Sequence, residues 1–163
     1  MARRALVLFD RKLAEIERTV DGFALRGLQR LPIWMEGVEN GARGLAFHPS
    51  EQWLREHGFN PAMAQVVEIH NVRDLLEWER QQPWVVMHEL ARVYHHGPPG
   101  ESSADVEAAH ENALRSGSYD SLRHHDGSTR CVCAMNDHKE YVATTTAAYF
   151  GTNDFFPFNR AEL

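Results

Sequence analysis

Cysteine is nearly absent. Cys131 and Cys133 are the only two in 163 residues, so no disulfide framework of the kind that staples small secreted domains is available. No apolar run approaches the ~20 residues that cross a bilayer. An excess of basic charge is lacking as well. Lys+Arg number 17 against 23 Asp+Glu, a formal charge of -6, which argues against a general nucleic-acid binder. Two arginines near the start are followed only by Ala5 to Phe9 before Asp10, shorter than a secretory apolar region. The expectation is a cytoplasmic protein with no membrane or nucleic-acid partner.

What is present reads as an ordinary globular chain. Hydrophobic residues make up 43% and charged residues 25%, a balance that supports one packed domain over residues 1–163. Ten histidines direct attention to metal or acid/base chemistry. Leu6, Phe9, Leu13, Ile16 and Val20 fall on one helical stripe, predicting an amphipathic helix over 3–20 that ends at Gly22. A short helix is expected from Phe23 to Leu31, stopped by Pro32. Ile33–Met35, Gly44–Phe47 and Val66–His70 read as strands. Ser50 reads as the N-cap of a helix ending before Gly58, and Asn71 as the N-cap of the helix carrying Val72, Leu75 and Trp78. Pro83 opens the next helix, through Tyr94. Gly97–Ser103 is a loop. Helices over about 105–116 and 137–150 flank a short strand at 130–135. The class is α+β, with more helix than strand.

The helix after Pro83 carries His88-Glu89-Leu90-Ala91-Arg92. In the metallopeptidase pattern H-E-x-x-H, two histidines one turn apart, about 6 Å along the axis, share a zinc, and the Glu activates its water. Two residues recur by chance, so the surrounding text matters more. QPWVVMHELARVYHH (82–96) and HKEYVATTTAAYFGTNDFFPFNRAEL (138–163) resemble segments of a bacterial and fungal family of zinc metallopeptidases. LPIWMEG (31–37), HPSEQWLREHGFNP (48–61) and VEIHNVRDLLEW (67–78) are similar to family segments too. The resemblance implies a zincin-like fold: an active-site helix, a small sheet and a C-terminal helical part, with the ligand layout of the anthrax lethal factor protease domain. It implies His88 as the first zinc ligand, Glu89 as general base and Glu140 as the downstream carboxylate ligand. The second ligand histidine falls on Arg92. A tyrosine that would stabilise the oxyanion falls on Cys133, and two family carboxylates fall on Thr144 and Ala147.

His88 and Glu140 leave zinc one ligand short of the usual three. His95 shares the face of His88 but lies ~10.5 Å further along a straight helix. Two nitrogens on one zinc sit roughly 3.3 Å apart. Arg92 places a permanent cation where a dication would sit, and its fork can bridge Glu89 and Glu140. The competing readings are a solvated Arg92 and a Glu89 engaged in a surface salt bridge.

Cys131 and Cys133 share one strand face. They read as small buried core residues, or Cys133 lines the cleft as acid or nucleophile, or the pair binds metal. His124-His125 reads as loop. His95-His96 reads as a cationic helix C-terminus. Phe155, Phe156 and Phe158 read as core, as do Trp34, Trp53, Trp78 and Trp84. The functional expectation is a degenerate metallopeptidase homologue without a metal cofactor. Its catalytic set would be His88, Glu89, Arg92, Cys133 and Glu140, working by acid/base chemistry on a small-molecule substrate, as an isomerase, cyclase or dehydratase of small-molecule biosynthesis. The alternatives are a zinc metallopeptidase that keeps His88 and Glu140 with an unusual third ligand, and a non-catalytic binding module. The oligomeric state carries no signature.

Overall fold

Side-chain caps fix where several of the helices begin. Ser50 accepts the Trp53 amide at 3.1 Å, Asn71 accepts that of Arg73 at 2.8 Å, and Asp137 accepts those of Lys139 and Glu140 at 2.8 Å each. Each satisfies amides that a first helical turn leaves without partners. The structure is a computed structural model, and it describes residues 1–36, 45–48, 50–96, 104–131 and 136–163. Its α-helices are α1 (Ala2–Thr19), α2 (Gly22–Leu28), α3 (Glu51–Glu56), α4 (Val72–Gln81), α5 (Val85–His96), α6 (Ala104–Ser116) and α7 (His138–Phe150). The strands are β1 (Ile33–Met35), β2 (Leu45–Phe47), β3 (Val67–Ile69), β4 (Leu122–Arg123) and β5 (Thr129–Arg130). The class is α+β. No helix among the described residues is long and apolar enough to cross a membrane.

The chain divides into two compact units, Met1–Arg80 and Gln81–Leu163. In the first, β3 is the centre of a three-stranded sheet. It runs parallel to β1, with Ile33 opposite Val67, and antiparallel to β2, with Leu45 opposite Ile69. All three β3 residues are buried, in keeping with a central strand covered on both faces. In the second unit α5 and α7 pack together, α6 lies against α7, and β4 and β5 form a hairpin.

Several expectations need correction. The buried face of α1 is Ala5, Leu8, Phe9, Lys12 and Ile16, while Leu6 is 51% exposed. Lys12 tolerates burial because its ammonium reaches Glu15 at 3.2 Å and Glu79 at 3.6 Å. Gly22 does not end α1. The helix stops at Thr19, and Asp21 accepts the Phe23 and Ala24 amides, so Gly22 opens α2. The strand expected over 130–135 begins a residue earlier as β5, and 132–135 lie outside the described residues, as do 37–44 and the 97–103 loop. Its partner β4 was not expected. The turn between them is set by Asp126, which accepts the Ser128 amide at 2.8 Å, and by Gly127 at φ +86°.

The aromatic residues are less buried than expected. Trp34, Trp53 and Phe156 are exposed, and Trp78, Trp84, Phe155 and Phe158 are half-buried. Trp53 stacks on His57 and on Phe59 instead of entering the core. Cys131 is exposed and free, so it is not a core residue.

The end of α7 is closely packed. A Cβ built on Gly151 would stand 1.9 Å from Trp84 Cε2 and 2.1 Å from its Nε1, contacts that a rigid indole cannot relieve at its tip. Gly151→Ala is expected to destabilise the protein by about 1–3 kcal/mol, an ordinary overpacking cost. Urea denaturation with an unchanged midpoint would refute this tight approach.

Candidate functional site

The apolar surface of α7 is made of small residues. Ala143, Thr144, Ala147 and Ala148 are buried, which lets α5 come close. Glu140 stands one turn before Thr144 on the same face. Asp137 fixes that turn through the Lys139 and Glu140 amides. Burial pushes the Asp137 carboxyl up, but those two amide hydrogen bonds together with the Lys139 and His138 charges hold its pKa below the usual value. On α5, His88 and Arg92 are four residues apart and share a face. Glu89 is buried beside them, 8% exposed.

These four side chains meet. Arg92 Nη1 donates to Glu89 Oε2 at 3.1 Å. Arg92 Nε lies 3.1 Å from Glu140 Oε1 but is not aligned for a hydrogen bond, so that contact is Coulombic. His88 Nε2 stands 3.3 Å from the other oxygen, Oε2 of Glu140. Arg92 therefore bridges two carboxylates, and Glu140 is held between a guanidinium and an imidazole. Arg92 is neither freely solvated nor at the surface of a simple pair, since its side chain is 31% exposed and that of Glu89 only 10%.

The two carboxylates respond in opposite directions. Burial is the largest influence on Glu89 and raises its pKa. His88 and Arg92 pull it down and Glu140 pushes it up, leaving a net rise. Glu140 is lowered, first by its contact with His88 and then by the Arg92 charge, against a desolvation penalty. One carboxyl leans towards its protonated form while its neighbour stays ionised. Opposed carboxyl groups in one site are a recurrent acid/base arrangement.

The donor set fits poorly around a metal. His88 Nε2 and the Glu140 carboxylate are close enough to share an ion, but the side chain beside them is Arg92. A guanidinium has no lone pair to offer and does not deprotonate in proteins. Among the described residues, no group of three or more His, Cys, Asp or Glu is placed to hold a metal ion. His95 does not join His88. Its ring meets His138 edge-on at 5.3 Å. Burial, then the nearby His138 and Lys139, lower its pKa. It is therefore an interior histidine whose surroundings disfavour the cationic form expected at a helix end. Cys133 lies outside the described residues.

Two features escaped the sequence reading. Asp137 to Glu140 has the spacing of a capping box, D-x-x-E. That spacing was a legible sign that Glu140 sits in a first turn. In the structure its carboxylate faces Arg92 and His88. The other feature lies in the first unit. Glu68, buried on β3, has His48 Nε2 at 2.7 Å on one oxygen and His70 Nδ1 at 3.1 Å on the other. The alternation of VEIH sets Glu68 and His70 on one strand face, but His48 joins them only through the pairing of β2 with β3. His124, read as loop, is also buried. It bridges to Phe155 and stands 3.0 Å from Asp126.

No protein family, curated protein or solved structure matches the chain.

The raised pKa of Glu89 has a consequence for stability. Between the unfolded and folded values the native state binds the extra proton, so stability falls as pH rises through the folded value. Glu89→Gln keeps an acceptor for Arg92 and removes this loss. The variant is expected to exceed the parent in stability at pH 8, with the advantage fading towards pH 4. Urea titrations across that range would show a constant difference if Glu89 were not buried as a strained anion.

Proposed function

We propose that the chain is a zincin-like protein whose peptidase site has become a metal-independent acid/base site for a small molecule. The observation that carries this reading is the Arg92 bridge between Glu89 and Glu140 at 3.1 Å on each side. A cation permanently attached to the chain occupies the place that, in the resembled family, the second metal-binding histidine would occupy. With it there, Glu140 serves as the counter-charge that orients His88 and Arg92, not as a metal ligand.

The chemistry follows from the proton positions. Glu89, with a raised pKa, removes a proton from a carbon or hydroxyl of the substrate when ionised and returns one when protonated. His88 is the complementary donor or acceptor, held by Glu140. Arg92, partly open to solvent, steadies the negative charge that develops on the substrate. Proton removal at one atom and return at another is isomerisation. Return to a departing hydroxyl is dehydration, with water as the leaving group. If the freed electron pair attacks a carbonyl of the same molecule, the outcome is cyclisation.

One observation favours a second reading, a binding module without catalysis. Beyond His88 the crevice bounded by Trp84, Val85, Ala147 and Asn153 has no room for a water molecule, and so none for a substrate on that side of the cluster.

Two measurements separate these readings from a surviving zinc peptidase. Arg92→His restores a His/His/Glu set and is expected to tighten zinc binding on the order of 100-fold over the parent. Equal zinc affinity in parent and variant would contradict the substitution of metal by guanidinium. Incubated with a small-molecule cell extract, the parent should convert one component to an isomer or to a product lighter by one water, and Glu89→Gln should not. Identical chromatographic retention and mass profiles for parent and Glu89→Gln would favour the binding module.

A further inference from the structure

The first unit carries a groove that the acid/base site does not involve. It is an open groove between α1 and α4 of about 550 Å³, within the range of small-molecule pockets, roughly 300–1,000 Å³. Val7 and Leu8 from α1 and Leu76 from α4 supply its apolar lining. Val7 is 64% exposed, an uncovered aliphatic side chain beside charged ones.

The charges around this lining are one-sided. Arg3, Arg4, Arg11 and Arg80 face one carboxylate, Glu79. Glu79 is already engaged by Arg11 at 2.8 Å and by Lys12 at 3.6 Å. Arg3, Arg4 and Arg80 meet no carboxylate within ion-pair distance among the described residues. A surplus of positive charge is gathered here on a chain whose formal net charge is -6. Like charges held close together repel, and an anion relieves that repulsion. Guanidinium forks suit carboxylate and phosphate oxygens, and the apolar lining suits a hydrocarbon body.

We propose that this groove binds an amphipathic anion, an acyl chain ending in a carboxylate or phosphate, with Arg4 and Arg80 on the head group and Val7, Leu8 and Leu76 against the chain. The same chemistry occurs free in solution and at the surface of an anionic membrane. A positive surplus gathered at one groove of an otherwise acidic chain of net charge -6 favours the free molecule over an extended anionic surface, which would meet the remaining negative charge as well.

The test is calorimetric titration of the full chain with sodium dodecanoate below its micelle concentration, at low salt. One saturable site is expected. The double variant R4Q/R80Q should weaken it about tenfold or more, the effect of losing charged hydrogen bonds. Both arginines are exposed, and unchanged far-UV circular dichroism would confirm that the variant folds. Val7→Asp should abolish binding, and dodecanol, which lacks the charge, should not bind. Failure to saturate, or full affinity in R4Q/R80Q, would overturn the proposal. So would cosedimentation with phosphatidylglycerol vesicles without binding of free dodecanoate, which would make the arginines a membrane-facing patch. None of these outcomes depends on the acid/base site.

Discussion

One guanidinium between two carboxylates governs the second unit. Without Arg92, Glu89 would be a buried anion close to a second anion, Glu140. That arrangement is costly in a low-dielectric interior. With Arg92 in place, the buried carboxyl acquires a hydrogen-bond donor and the two negative charges share one positive charge. The balance is incomplete, because desolvation still outweighs attraction at Glu89. That residual imbalance gives the proposed chemistry a group able to carry a proton nearer neutrality.

The scaffold serves this contact at several points. The alanines of α7 bring its backbone near α5. Asp137 fixes the first turn of α7, where Glu140 resides. Gly151 lets the chain leave α7 beneath the Trp84 indole. Each is a local choice of residue type, and together they place the Glu140 oxygens on opposite partners, His88 and Arg92. Enlarging one of those small residues would separate the helices and loosen the bridge without touching any charged group.

Much of this was legible in the residues. The caps at Ser50, Asn71 and Asp137 and the stop at Gly58 are short-range chemistry that a sequence displays directly. The i,i+3 spacing of Glu89 and Arg92 makes their contact readable, and the D-x-x-E spacing was there to place Glu140. Other features were hidden because they depend on partners distant in sequence. Lys12 enters the buried face of α1 with its charge shared between Glu15 and Glu79, and the second of these, on α4, is invisible in the local pattern. Trp34 and Trp53 look like core by composition, yet lie where few neighbours cover them. His95 suits a helix end as a cation, but burial beside His138 and Lys139 favours its neutral form. The His48–Glu68–His70 cluster requires a strand register that no local pattern specifies.

The most direct test is crystallographic. Crystals grown with millimolar zinc and measured across the zinc absorption edge would locate any ion by its anomalous signal. The account predicts no zinc peak between His88 and Glu140, with Arg92 density reaching both Glu89 and Glu140. A zinc ion bound by His88 Nε2 and the Glu140 carboxylate, with the Arg92 side chain displaced towards solvent, would contradict it.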